Sequence, residues 1–551
     1  MGFELFKSGR SLNVTNLIKL VIFLLVIKVD LYLCKSPNIV IFLADDVGYG
    51  DLQSFGNPLA STPNIDALVR EGKRFTQFYS ASPVCSPARA ALLTGRYPVR
   101  TGVWNDIDPA VFVQESIYGL RHEEITIPEM LASNGYKSGL VGKWHLGVGK
   151  KKEFLPLNHG FDFFFGLPNT LSDCPNFKCY YPDDECEGVN YSPDKAPCTL
   201  VFNNDIIEQP IDLVTLAERQ IRAAKSFIQT NACDGTPFFL LYSSLHTHTP
   251  QFAGRRYRNT TLGGPYTDSL AELDGEVGDI IQELRDSGVL ENTLVIFTSD
   301  NGPDRRAGTF GGFNGIFRCG KSTTFEGGIR VPTVIYWQGR ISPGISTELL
   351  SHLDIWPTIR RITGSSTDDI VLDGVDFSDV LFRDGESPVQ SLLIFDITPS
   401  PVEGPFALRT SQYKAHYFTE CTDRCEAEAI DYMCSTNATF QSYEPPIIYD
   451  ILLDPEERDD ISNTSYSLVD ELAELLTMET AKISFSLSAL KDLDWKSQLC
   501  CNTGCTPYPQ CCNCPSNYTN TILPLYDDCK LQPVNNRHFY RKENCKDSEK
   551  S

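Results

Sequence analysis

Positive charge is scarce in this chain. Its 551 residues carry 48 Lys and Arg against 71 Asp and Glu, a formal charge of −23. A phosphate-binding surface needs clustered Lys and Arg, so the balance argues against nucleic acid as a partner. An acidic surface suits a compartment whose low pH partly neutralises it, and it serves solubility equally well. Long apolar runs are missing too. The run at 20–27 follows Lys7, Arg10 and Lys19 and is closed by Lys28 and Asp30. It is too short to span a bilayer and matches the apolar region of a signal peptide. Residues 1–34 are therefore expected to be that peptide. The alternative is a signal anchor over 17–33, interrupted by Lys19, Lys28 and Asp30. Phe6 stands where a myristoylation site would carry Ser or Thr. No later segment is apolar for long enough to cross a membrane, and no repeat or low-complexity tract occurs. With 41% hydrophobic and 22% charged residues, wholesale disorder is excluded. The length exceeds what one core usually fills, so two lobes are expected.

Cysteine, by contrast, is abundant. The nineteen cysteines point to an oxidising compartment. Cys174, Cys179, Cys186 and Cys198 form one cluster, Cys421, Cys425 and Cys434 a second. Cys500, Cys501, Cys505, Cys511, Cys512 and Cys514 crowd into the tail. A zinc knot would need such spacing as well, but the secretory context favours disulfides there. Sequons at Asn190, Asn259, Asn437, Asn463 and Asn517 fit the same route.

Four short apolar runs, 38–44, 138–141, 238–243 and 294–298, read as fully buried strands. Between them 65–71, 127–134, 215–229 and 269–287 read as helices, with Pro128 near the start of the second and Gly135 beyond its end. Such alternation predicts an α/β fold, a mostly parallel sheet covered on both faces. From about residue 396 the pattern changes to short strands at 406–410, 413–418 and 447–451. A helix over 467–482 follows, with a Ser467–Asp470 capping box. We expect a catalytic region over 35–395 and a smaller antiparallel sheet with one helix and a cysteine-rich tail over 396–551.

Polar residues follow each of the four strands: Asp45 and Asp46, Lys143 and His145, His246 and His248, Asp300 and Asn301. Ligands of open α/β sheets bind beyond the carboxyl ends of parallel strands. Asp45, Asp46, Asp300 and Asn301 supply hard oxygen donors, which suit Ca²⁺ or Mg²⁺ rather than zinc. Taken singly, each pair also fits an Asx turn. In Cys85-Ser86-Pro87-Ala88-Arg89, Ser86 and Pro87 read as the N-cap and first residue of a helix to Leu93, with Gly95 beyond it. Cys85 would then sit at the positive end of that helix. Read alone, in so cysteine-rich a chain, Cys85 would ordinarily be taken for a disulfide cysteine.

The run Cys85-Ser86-Pro87-Ala88-Arg89-Ala90-Ala91-Leu92-Leu93-Thr94-Gly95-Arg96 resembles the signature of type I sulfatases. Gly142-Lys143-Trp144-His145-Leu146-Gly147 resembles their second signature, and the 43–51 and 299–302 segments also fit. Within the family, 246–252, 318–321 and the 500–515 tail are similar to the arylsulfatases. The resemblance, spanning about 37–515, implies an alkaline-phosphatase-like fold and hydrolysis of sulfate esters. It implies that Cys85 is oxidised by a formylglycine-generating enzyme to Cα-formylglycine, whose hydrate attacks sulfur. One cation, Ca²⁺ or Mg²⁺, would be held by Asp45, Asp46, Asp300, Asn301 and residue 85. Lys143 and Lys321 would neutralise the sulfate, and Arg89 would hold the hydrate. His145 would act as base, and His248 would contact sulfate and protonate the leaving oxygen. His246 is expected to be a structural neighbour. The family's sulfate-contacting serine has no direct match after Phe165-Gly166-Leu167-Pro168; Thr170 is the expected equivalent, with Ser172 as alternative. The resemblance also implies the pairs Cys174–Cys198, Cys179–Cys186, Cys319–Cys434, Cys421–Cys425, Cys500–Cys512, Cys501–Cys514, Cys505–Cys511 and Cys529–Cys545.

The leading expectation is an arylsulfatase of the lysosome or extracellular space, with no membrane span, acting on sulfated phenols, sugars or lipids and able to form homo-oligomers. A phosphatase of the same superfold would use Ser or Thr and zinc. A third reading is a non-catalytic binder of sulfated polysaccharide.

Overall fold

A computed structural model describes residues 36–107, 109–173, 194–305, 311–367, 370–420 and 440–514. The first two strands are β1, Asn38–Ala44, and β2, Lys73–Tyr79; β3 is Lys137–Lys143, β4 Phe163–Leu167, β5 Leu200–Phe202 and β6 Asp205–Glu208. The large sheet continues with β7, Phe238–Ser243, β8, Thr293–Ser299, β9, Thr333–Tyr336, and β10, Gly344–Ser351. The order across this ten-stranded sheet is β10-β2-β9-β8-β1-β7-β3-β4-β5-β6. The four strands expected from their apolar runs lie side by side at its centre, β8-β1-β7-β3, all parallel. Nearly every side chain in them is buried, which is why they read as continuous apolar runs rather than as an alternation. Their carboxyl ends therefore open at one place.

Helices cover both faces. Leu216–Asp234 and Pro265–Asp286 pack on one side, in a cluster with Val40, Phe42, Leu240 and Val295. The opposite cluster holds Ile39, Ile41, Leu140, Leu241 and Trp144 with Leu92 of the Cys85–Thr94 helix. Alternate residues of β1 and β7 divide between the two clusters, as the two-residue period of a strand requires. The helix expected at 127–134 closes after Ala132; Thr126 and Glu129 form a capping box at its start.

A second sheet has the order β11-β12-β13-β14, from β11, Ser391–Ile394, β12, Ala407–Thr410, β13, Tyr413–Glu420, and β14, Phe440–Asp450, all antiparallel. Its first strand lies ahead of residue 396. The following helix, Tyr466–Thr480, starts from Ser465 without a side-chain cap. The Ser467–Asp470 box is thus corrected: both residues already lie inside the helix. The tail is closed by Cys500–Cys512, Cys501–Cys514 and Cys505–Cys511, so disulfides and not zinc hold it. Cys198, Cys233 and Cys319 are also disulfide-bonded. Cys174 and Cys434, expected partners of Cys198 and Cys319, lie outside the described residues, as do Cys179–Cys186, Cys421–Cys425 and Cys529–Cys545 and the sequons at Asn190, Asn437 and Asn517. Asn259 and Asn463 are exposed. Among the described residues no helix is long and apolar enough to cross a membrane.

Candidate active site

Three carboxylates meet three cations at the carboxyl ends of the central strands. Asp45 and Asp46 follow β1, Asp300 follows β8, and Lys143 ends β3. Lys143 Nζ lies 2.7 Å from Asp45 Oδ2, Lys321 Nζ 2.6 Å from Asp46 Oδ1, and an Arg89 terminal nitrogen 2.7 Å from Asp300 Oδ2. All six are nearly or fully buried. Moving six charges from water is costly, so each is matched and the set is neutral by count. Backbone pairing holds the frame. Asp45 N donates to His246 O and Thr247 N to Asp45 O, while Asp300 N donates to Ala44 O. Asp46 adopts the left-handed region at φ 64°, and its N–H donates to Asp300 Oδ1 at 3.2 Å.

Cys85 sits inside this ring. Its Sγ is 3.7 Å from Asp45 Oδ1 and 3.5 Å from Lys321 Nζ. The Cys85–Thr94 helix begins at Cys85 itself, after Val84, and ends on Gly95 in the left-handed region. This corrects the expected cap: Ser86 and Pro87 lie within the first turn. Ser86 is drawn elsewhere, its hydroxyl donating to His145 O at 2.7 Å and accepting from Phe112 N. Cys85 nevertheless stands at the positive helix end, as expected. Among the described residues it is the one free cysteine.

Arg89 reaches from the next turn. Besides Asp300 it donates to Ser243 Oγ at 2.6 Å and Lys143 O at 3.3 Å. Ser243, the last residue of β7, also donates to Lys143 O. Sequence reasoning missed it; its place at the end of an apolar run was the available signal. Gly142 is needed here, because it lies at φ 108° and any Cβ would strike Ser243 O.

The histidines divide by role. His145, at φ 58°, turns Nε2 to Phe112 O at 2.9 Å. A carbonyl only accepts, so Nε2 carries the proton and Nδ1, buried and without a hydrogen-bond partner among the described residues, is the basic atom. His248 directs Nδ1 to Thr249 O at 2.6 Å and Nε2 towards Asp46 Oδ2 at 3.7 Å. His246 faces away from the ring. Its Nδ1 lies 2.8 Å from Ser269 Oγ, Nε2 faces Glu272, and the ring packs on Phe252. It is a structural neighbour, as expected. Trp144 N and His145 N donate to Leu167 O and Pro168 O; Thr170, two residues on, is buried, whereas Ser172 is exposed.

The charges set the proton affinities. Burial alone would raise Asp45, but Lys143, His248, Arg89 and Lys321 outweigh it and hold that carboxyl well below its ordinary value. Asp300 moves up, through burial opposed by Arg89 and reinforced by Asp45. Burial pushes the Cys85 thiol up to about 12 against the pull of Lys143 and Lys321. Burial, Lys143 and Arg89 hold His145 well below the usual imidazole range. Burial and then Lys321 lower His248, with Asp46 opposing.

Comparisons with known proteins agree with this geometry. Residues 37–365 match the sulfatase family model, and 392–514 match the C-terminal region of aryl-sulfatase. Human arylsulfatase A is 41% identical over 502 residues, covering 89% of this chain and 98% of its own. Mouse N-acetylgalactosamine-6-sulfatase is 36% identical over 457 residues, covering 80% and 84%. The crystal structure of the PsFucS1 sulfatase from Pseudoalteromonas sp. superposes with a TM-score of 0.71 at 27% identity, covering 84% of this chain and 92% of that one. The large sheet, flanking helices and small antiparallel sheet are thus the alkaline-phosphatase-like arrangement. The chain belongs to the sulfatase family and is a sulfuric ester hydrolase of the arylsulfatase type.

Proposed function

We propose that this hydrolase cleaves sulfate esters through a formylglycine made from Cys85, beside one bound Ca²⁺ or Mg²⁺. The carrying observation is the state of Cys85. In a chain whose other described cysteines are bonded, this one is free, buried and ringed by three carboxylates and three cations. A nucleophilic cysteine needs a lowered thiol pKa; here burial raises it to about 12 against Lys143 and Lys321. An unmodified thiol is therefore poorly suited to the task. In this reading Cys85 Sγ marks where the hydrate oxygens of the modified residue stand.

The residues present fit a hard divalent ion. Asp45, Asp46, Asp300 and Asn301 offer oxygens from two adjacent strand ends, and Asn301 Oδ1 is buried with no hydrogen-bond partner among the described residues. When bound, the cation and the aldehyde hydrate supply Lewis acidity and a paired-hydroxyl nucleophile. The chain's own groups do the rest. Lys143 and Lys321 neutralise sulfate oxygens, and Arg89 supplies permanently charged, planar donors beside residue 85. His145 Nδ1 is placed to accept a proton, its tautomer fixed by Phe112 O. His248, with Nδ1 committed to Thr249 O, offers Nε2 to sulfate and to the leaving oxygen. Thr170 is the proposed further hydroxyl towards sulfate. Overall, ester and water yield alcohol or phenol, sulfate and a proton.

The same reading takes residues 1–34 as a signal peptide, 35–395 as the catalytic region and 396–551 as the smaller one. It places the protein in the secretory pathway, lysosomal or extracellular, as a glycoprotein that meets a formylglycine-generating enzyme during biosynthesis. The test is peptide mass spectrometry of residue 85 together with metal analysis of enzyme turning over an aryl sulfate. Unmodified Cys85 in fully active protein would sink the mechanism. Preference for an aryl phosphate would move the assignment to a phosphatase.

A further inference from the structure

Lys321 stands on a loop, not on a strand, yet it is held against Asp46 and Cys85 as closely as the strand-borne groups. The loop doubles back on itself, with Gly327 N donating to Arg318 O. Both ends of that turn meet one residue far along the chain. Glu457 accepts from Glu326 N on its carboxylate at 2.6 Å, and its main-chain oxygen accepts from an Arg318 terminal nitrogen at 3.1 Å. Arg318 also stacks on Phe325 within the same turn. Glu457 is fully buried and lies at φ 55°, an unusual conformation for Glu. Strand β13 of the small sheet fixes its carboxylate, through Lys414 Nζ at 3.0 Å and His416 Nε2 at 2.8 Å.

A buried ion pair is weak grounds for stability, since an apolar replacement of equal volume often does as well. What such a pair does supply is a fixed position. From Glu457 and from the fixed ends of the Arg318–Gly327 turn, the geometry points to Glu457 as a positioning residue. It sets Lys321 for sulfate, so that the small sheet helps to shape a site on the large one. The inference rests on the proposed role of Lys321. It also gives a reason for the small sheet beyond covering surface: it carries no group of the charged ring, but it anchors one.

The test uses the full-length, modified enzyme with an aryl sulfate as substrate and inorganic sulfate as competitive inhibitor. Glu457→Ala is expected to raise KM and the sulfate inhibition constant together, about tenfold, because small misplacements of a charged group cost that much or more. kcat should stay within about threefold. Glu457→Gln keeps the acceptor for Glu326 N and should restore most of the loss. Arg318→Met cuts the other arm and should raise both constants if Glu457→Ala does not fold. In the Lys321→Ala background, Glu457→Ala or Arg318→Met should add nothing, since both act through the missing ammonium. Glu457 and Arg318 variants that lower only the melting temperature, or whose effects multiply with Lys321→Ala, overturn the inference while leaving the site reading intact. Lys321→Ala with unchanged constants overturns the role of Lys321 and this inference together.

Discussion

Two clusters of buried charge take a member each from the 318–327 turn, Lys321 in one and Glu326 in the other, and they are built differently. Around Cys85, three carboxylates face three cations, but Asn301 Oδ1 and His145 Nδ1 remain without hydrogen-bond partners among the described residues. Around Glu326 the set is nearly closed. Glu326 binds Tyr79, Arg330 and Lys414, Glu457 binds Lys414 and His416, and of these only His416 Nδ1 has no hydrogen-bond partner among the described residues. Burial and ion pairing are common to both, so neither distinguishes a site. Unspent donors and acceptors gathered in one place do, because burying them without partners is costly unless something else will meet them.

Breaking the first cluster should abolish chemistry and spare the fold. Cys85→Ala removes the nucleophile, and turnover of an aryl sulfate should fall by a factor on the order of 10⁵–10⁶. Asp300→Ala should cost about 10³ and the bound metal as well. Its fold should survive, because Arg89, left without Asp300, keeps Ser243 Oγ, Lys143 O and Asp45 as partners. Metal content by mass spectrometry and an unchanged circular dichroism spectrum check this. Near-normal activity in the Asp300 variant would show that the oxygen donors were wrongly grouped.

Breaking the second should cost stability first and reach the site only through Glu457. Lys414→Ala strands two buried carboxylates and should lower unfolding stability by about 3–5 kcal/mol, with kcat of the folded fraction within about threefold. Denaturant titration and active-site counting separate the two effects. Its pH dependence can be signed. Glu326 is opposed by burial, but Lys414, Arg330 and Arg409 win and hold it at about 2. A carboxyl lowered on folding stabilises above its unfolded value near 4.3 and loses that contribution as pH falls through the folded value. Glu326→Gln should therefore be less stable at pH 7, and its stability should fall less steeply than that of the parent between pH 4.5 and pH 2.5.

Much of the first cluster was legible in sequence and little of the second. Asp45, Asp46, Asp300, His145 and His248 each follow a strand that reads as an unbroken apolar run, and such strands end at a binding crevice. The helix start at Cys85 was misplaced by one or two residues, because Ser86 and Pro87 carry cap propensities while tertiary contacts to His145 and Phe112 claim the Ser86 hydroxyl. Ser467 and Asp470 misled in the same way. Strands β2 and β14 were missed or shortened, since Lys73, Arg74 and Gln77 in one and Pro445 and Pro446 in the other hide them. Glu457 shows no local signal at all. Its partners come from residues 318, 326, 414 and 416, and only the folded chain assembles them.

The smallest expected effect gives the comparison its control. Arg383 and Asp379 form an i, i+4 pair at 2.7 Å, the same separation as Lys143–Asp45 and Arg89–Asp300. Their side chains are 77% and 69% exposed, however. Water already solvates both charges before they pair, salt screens what remains, and two long side chains lose freedom to meet. Arg383→Ala should therefore change unfolding stability by no more than about 0.5 kcal/mol, and raising the salt concentration should shrink even that. Activity should not move. A loss above about 2 kcal/mol, well outside the range of exposed pairs, would mean that separation rather than burial governs these interactions. Burial would then no longer be what sets the Lys143–Asp45 and Arg89–Asp300 pairs apart from a surface pair of the same separation.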